Sequence, residues 1–106
     1  MRRGEVWTLC DPEGRASRVV VLSSDRHNDL PDALPHVALI VRRPAGGERP
    51  QQYLARLGEA DPIAGVVVVS DIGQVHPRYG VEQVGMLTGA SMDAICSVMR
   101  DLYELN

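Results

Sequence analysis

At 106 residues, 44% of them apolar, the chain can build one modest core and not two, so residues 1–106 are read as a single domain. The net charge is −3 and all 11 cations are arginine, which excludes the broad basic footprint of most nucleic-acid binders and leaves such a role to local Arg clusters. Two cysteines without metal-ligand spacing, and a start at Met1 that leads directly into a strand, predict a reduced, cytoplasmic setting with Cys10 and Cys96 as packing residues.

Glu5 to Leu9 alternates with period two and is the first predicted strand. Asp11-Pro12-Glu13-Gly14 has turn chemistry, so a short loop joins that strand to the next in an antiparallel hairpin. The second strand, Val19 to Leu22, is apolar on both faces and reads as buried on both sides, with Arg18 at its mouth. A guanidinium held at the head of a rigid strand is well placed to handle phosphate; the plainer reading is a strand end whose Arg stem lies on apolar surface. Ser24 to Pro35 is polar and Pro-punctuated, a loop with one short helical turn around Asp29 to Leu34.

His36 to Val41 is the next buried strand, ending in Arg42-Arg43. Residues 44–50 form a loop, and Gln52 to Leu57 alternates as a half-buried strand. After a turn over 58–65, Val66 to Ser70 is apolar and continues through Asp71–Val75 across a bend or bulge at Gly73. His76 to Gly80 is a loop and Val81 to Leu87 the last strand. Met92, Ile95, Cys96, Met99, Leu102 and Tyr103 then fall on one stripe of an amphipathic helix, capped by Thr88 or Ser91 with Asp93 in its first turn.

Parallel strands need long, usually helical crossovers, and here Pro and Gly break the gaps between the Val-rich runs. The expected architecture is therefore mainly β, with six or seven short antiparallel strands in a bent sheet or small barrel and one terminal helix on a face. His27 between Asp25 and Asp29 reads as a solvated loop residue rather than a metal ligand, and no metal site is assigned.

Several stretches together resemble a known family. Arg3-Gly4-Glu5-Val6-Trp7, the Arg18-Val-Val-Val-Leu-Ser run, the strand over 36–41, Val66–Val75 with Arg78 beyond it, and Val81–Leu87 before a closing helix look like a toxin of the MazF/PemK family of type II toxin–antitoxin systems. The resemblance spans nearly the whole chain. It implies an SH3-like (CcdB/MazF-like) α+β barrel, a homodimer, and cleavage of single-stranded RNA with no metal or cofactor. It also implies a cognate antitoxin that wraps the toxin with an acidic tail.

Arg18 matches the family's Arg at the start of the second strand, which helps move the proton and stabilises the phosphorane as the ribose 2′-hydroxyl attacks. The family's Ser or Thr at the end of the third strand falls on Arg42, which binds phosphate but accepts no proton. Ser23, Ser24 and His36 are the candidate substitutes. The family's Pro after the strand-two Arg is Val19 here, the first-hairpin loop is shortened to Asp11–Ser17, and Gly73 stands where many relatives carry Arg.

The predicted catalytic set is thus Arg18, Arg42, Ser23 and His36, and the predicted RNA contacts are Trp7, Arg15, Arg43, Gln74, His76, Arg78 and Tyr79. Unpaired RNA is the expected substrate because its bases can be splayed and stacked. Two alternatives stand beside it: a relative that binds RNA or an antitoxin peptide without cutting, and a gyrase-poisoning toxin of the CcdB type. Tyr103 weighs against the latter by lying on the apolar stripe of the helix.

Overall fold

The apolar runs become six strands and the terminal stripe becomes a helix in the computed structural model, which describes residues 1–42 and 53–104. The elements are β1 (Glu5–Cys10), β2 (Ala16–Val21), α1 (Asp25–Asn28), β3 (His36–Val41), β4 (Leu54–Arg56), β5 (Val66–Gln74), β6 (Gly80–Met86) and α2 (Gly89–Tyr103). All pairings are antiparallel, in the order β4-β5-β3-β2-β1-β6. The expected antiparallel sheet with a C-terminal helix is therefore present, but closure into a barrel is not. β4 and β6 are the two edges and do not pair, and α2 instead covers the face at the β4–β5 end.

Residues on β2 alternate between two apolar layers. Val20 and Leu22 join Val6, Ala38, Ile40, Val67, Val69 and Ile95 in the core beneath α2. Val19 and Val21 join Leu9, Val37 and Val75 on the opposite face, with Trp7, Tyr79 and Met1 packed around them. β2 is thus buried on both sides over Val19–Val21, as its composition predicts.

Several details depart from expectation. The helical turn in the 24–35 segment lies at Asp25–Asn28, because the Ser24 side chain accepts from the His27 N–H and caps it there. The irregularity in β5 lies between Val68 and Ile72, not at Gly73, where Leu39 and Ala38 pair with those two residues in turn. Thr88, not Ser91, caps α2, accepting from the Ser91 N–H at 3.2 Å. Asp93 falls beyond the first turn, which has no acidic residue. Tyr103 is 53% exposed and leaves the buried stripe, while Val98 joins it. Cys10 is exposed and Cys96 half-buried, with its Sγ 3.0 Å from the Arg3 guanidinium, so neither thiol is a core residue. Gln51, Gln52 and Arg43 lie outside the described residues.

The 58–65 turn is fastened to the start of α2 by Asp61. Its carboxylate accepts from the Gly58 N–H at 2.6 Å, the Thr88 N–H at 2.8 Å and the Ser91 hydroxyl. Burial pushes its pKa up, but the hydrogen bonds from Ser91, Thr88 and Gly58 outweigh that and hold it below the ordinary aspartate value of 3.8. Gly65, at φ +147°, closes the turn so tightly that a Cβ would sit 2.6 Å from the Val41 carbonyl oxygen.

Replacing Asp61 by Ala is expected to cost about 1–3 kcal/mol in urea unfolding at neutral pH. A folded pKa below the unfolded one makes this stabilisation fully present above the ordinary aspartate range and lost as pH falls through the folded value. The gap between wild type and Asp61→Ala should therefore narrow below pH about 4, and a gap independent of pH would contradict the assignment.

Candidate active site

Arg18 sits on β2 opposite Thr8 of β1 and Ile40 of β3, on the face that carries α2 but beyond the apolar core. The strand alternation that buries Val19, Val20 and Val21 ends here, and Ala16, Ser17 and Arg18 are all exposed. Among the described residues no carboxylate lies within ion-pair distance of Arg18; the recorded pairs are Arg2–Asp25 and Arg15–Glu13, both exposed. A guanidinium on a strand hydrogen-bonded on both sides, open to solvent and without an internal counter-ion, is prepared for an external anion.

The other predicted catalytic residues divide between the two ends of the sheet. Arg42 follows the last residue of β3, exposed, two positions past the Ile40 that pairs with Arg18, so these two cations share one end. Ser23 and His36 lie at the opposite end, where the Leu22 N–H donates to the His36 carbonyl. Four residue steps of strand lead from Arg18 to Leu22, about 13 Å, so neither Ser23 nor His36 reaches a group held by Arg18.

What Ser23 does is structural. Its hydroxyl donates to Asn28 Oδ1 at 2.5 Å and accepts from the His36 N–H at 3.0 Å, tying α1 to β3. The His36 ring contacts Gln74 Nε2 at 3.3 Å and lies edge-on to His27, with centroids 5.1 Å apart. Ser23 and His36 line a cavity of about 210 Å³ with Leu22, Ile72, Met99 and Tyr103.

Of the predicted RNA contacts, His76, Arg78 and Tyr79 come together with Pro12 and Pro77 around an open cavity of about 480 Å³. The His76 ring meets Tyr79 edge-on at 5.7 Å, leaving an aromatic surface beside a cation. Gln74 lines a neighbouring cavity of about 340 Å³ that also contains Tyr79. Arg15 is paired with Glu13 at 3.3 Å on the hairpin loop. Trp7 is half-buried against the core opposite α2 and is not part of the Tyr79 cavities. Among the described residues no three His, Cys, Asp or Glu side chains form a metal-binding group, and no helix is long and apolar enough to cross a membrane.

Sequence reading passed over Glu5, whose side chain is 9% exposed inside β1. Its carboxylate accepts from the Arg2 N–H, from Trp7 Nε1 at 3.4 Å and from Gln83 Nε2 at 2.6 Å. The available signal was a carboxylate at an inward position of a period-two strand, which requires buried donors.

The geometry of the whole sheet has solved counterparts. An endoribonuclease from a mycobacterial species, in complex with its cognate antitoxin, superposes with TM-score 0.83 at 21% identity over 100% of this chain and 97% of that one. This chain has the MazF fold. MazF in a MazE–MazF structure from Deinococcus radiodurans matches with TM-score 0.80 at 16% identity, over 100% of this chain and 97% of that one. A further structure of an endoribonuclease from a mycobacterial species gives 0.80 at 22%, over 99% and 92%. No protein-family model and no curated protein sequence matches the chain. The MazF fold thus persists here at sequence identities where backbone geometry carries the likeness.

Glu5→Gln removes the charge that organises three donors and is expected to lower stability by about 1–3 kcal/mol. Trp7, the only Trp, reports on that network directly, so a red shift of native-state emission should accompany the loss. An unchanged unfolding midpoint would show that the network contributes nothing.

Proposed function

We propose that this chain is the toxin of a type II toxin–antitoxin pair, a metal-independent endoribonuclease acting on single-stranded RNA in the cytoplasm. The observation that carries the reading is Arg18, a strand-anchored and solvent-open cation without an ion-pair partner among the described residues. The likeness over nearly their full length to two structures described as endoribonucleases, one of them in complex with its cognate antitoxin, and to a MazE–MazF structure supports it.

The chemistry needs little else. When a ribose 2′-hydroxyl attacks the adjacent phosphorus, negative charge gathers on the phosphoryl oxygens, and a cation already aimed there lowers the barrier without rearranging. The reaction calls for no cofactor. Arg42, at the same end of the sheet, adds a second positive charge against the net −3 of the chain. The Tyr79 cavity lies on the opposite face but at the same hairpin end, bordered by Pro12, and supplies an aromatic plane for an unpaired base further along the strand, with Arg78 for its phosphate. A homodimer belongs to this reading, supported by the edge strand β6, where Val81 is 48% exposed beside Leu9.

A second reading is favoured by one observation: Arg42 stands where the family carries a hydroxyl, and Ser23 and His36 lie at the far end of the sheet. A protein so built binds RNA or an antitoxin peptide without cutting it.

Purified protein incubated with single-stranded RNA in excess chelator separates the readings. Cleavage leaving 2′,3′-cyclic phosphate and 5′-hydroxyl ends, reduced about 10²–10³-fold or more by Arg18→Ala, is the expected result. Tight binding without cleavage supports the second reading. Neither binding nor cleavage overturns both.

A further inference from the structure

The strand register places an acid beside Arg18 that lies far from it in the sequence. Thr8 pairs with Arg18 on one side and with Glu82 of β6 on the other. Directly paired residues of neighbouring strands project to the same face of a sheet, so Glu82, Thr8 and Arg18 form one cross-strand row. That face is the helix-bearing one, because the parallel row two residues away holds Val6 and Val20 of the core. Arg18 and Glu82 are exposed and Thr8 half-buried, so the row is a wet extension of the apolar layer.

Two strand spacings separate Arg18 from Glu82, about 10 Å between backbones. That is too far for the stems to crowd, and close enough for a guanidinium and a carboxylate to flank one ribose–phosphate unit over Thr8. The two are not within ion-pair distance of one another. Within the row Glu82 is the one group that accepts a proton from an alcohol: Ile40 is apolar, the guanidinium stays protonated, and the Thr8 hydroxyl is a donor suited to a phosphoryl oxygen. The next row outward, Gly80–Cys10–Ala16, offers a single thiol.

We infer that Glu82 is the proton acceptor of the Arg18 site, with Thr8 between them seating the phosphate. The inference rests on the endoribonuclease reading. In the step, the 2′-hydroxyl proton passes to the Glu82 carboxylate as the O2′–P bond forms, and Arg18 holds the charge on the phosphoryl oxygens. The P–O5′ bond then breaks, the 5′-oxygen takes a proton from water, and protonated Glu82 returns its proton to solvent. The proton acceptor that neither Arg18 nor Arg42 can be is thus supplied from β6.

A carboxylate beside an RNA phosphate repels the ground state, which separates a chemical role from a structural one. Glu82→Gln should lower kcat about 10²-fold or more while leaving KM unchanged or reduced, and Glu82→Asp should recover part of the loss. Cys10→Ser should cleave like wild type. Far-UV circular dichroism and thermal melts of each variant establish that the folded fraction is the same. An unchanged kcat in Glu82→Gln, or a loss carried by KM, overturns the inference while Arg18-dependent cleavage by wild type still stands. A wild type that does not cleave RNA at all overturns the endoribonuclease reading and this one with it.

Discussion

β2 is held between two apolar layers, and that double burial fixes the register of its neighbours. With Val20 under α2 and Val19 and Val21 on the opposite face, a slip of one residue would exchange the layers and move each side chain to the wrong side. No polar position within Val19–Val21 relieves that penalty. The consequence reaches Arg18, the first residue outside the sandwich: its face, its height above the core and its partners Thr8 and Ile40 follow from the packing of three valines. Anchoring its backbone in this way confines the guanidinium to one patch of the surface, which is where pre-organisation contributes to catalysis.

The two ends of the same strand have separate tasks. Toward its C-terminal end the chain is tied down by hydrogen bonds, with Ser23 linking Asn28 and His36, and Gln74 meeting the His36 ring. Toward its N-terminal end the side chains are short or charged and exposed, and the cross-strand row there holds a cation, a hydroxyl and an acid. Carboxylates elsewhere are satisfied by protein partners, the buried Glu5 by Arg2, Trp7 and Gln83, and the partly buried Asp61 by Gly58, Thr88 and Ser91. These networks stiffen the frame around the open end without entering it.

Strand positions were legible in the sequence wherever β-branched residues run together, since Val19–Leu22, Val37–Val41 and Val66–Val69 have no way to be buried except inside a sheet. The place of the bulge in β5 was not legible: Gly73 drew it there, and nothing in Val69-Ser70-Asp71 distinguishes a bulge from a continuing strand until Ala38 and Leu39 are seen to pair with Ile72 and Val68. Nor was the open sheet: strand count and the antiparallel rule allow closure, and only the position of α2 and the shortness of β4 show that the edges stay apart. The turn at Asp25–Asn28 was readable from Ser24 as a cap, a signal that the prolines further along obscured. Arg18 could be singled out from its place before an apolar run, but Thr8 and Glu82 are 74 residues apart and meet it only through two strand ladders. Ser23 and His36, close to the Arg18 run in sequence, prove distant along the sheet.

The central claim is that the exposed end of β2, with its row of Arg18, Thr8 and Glu82, is where RNA phosphate binds. Amide and side-chain NMR shifts, recorded while single-stranded RNA with 2′-O-methyl groups is titrated in, test it most directly, since such a ligand binds without being cut. The account predicts that the largest shifts cluster on Thr8, Arg18, Arg42 and Glu82, with Arg18 Nε among them. Shifts confined to Ser23, His36 and Tyr103 at the other end of the sheet, or none at all at saturating RNA, would contradict it.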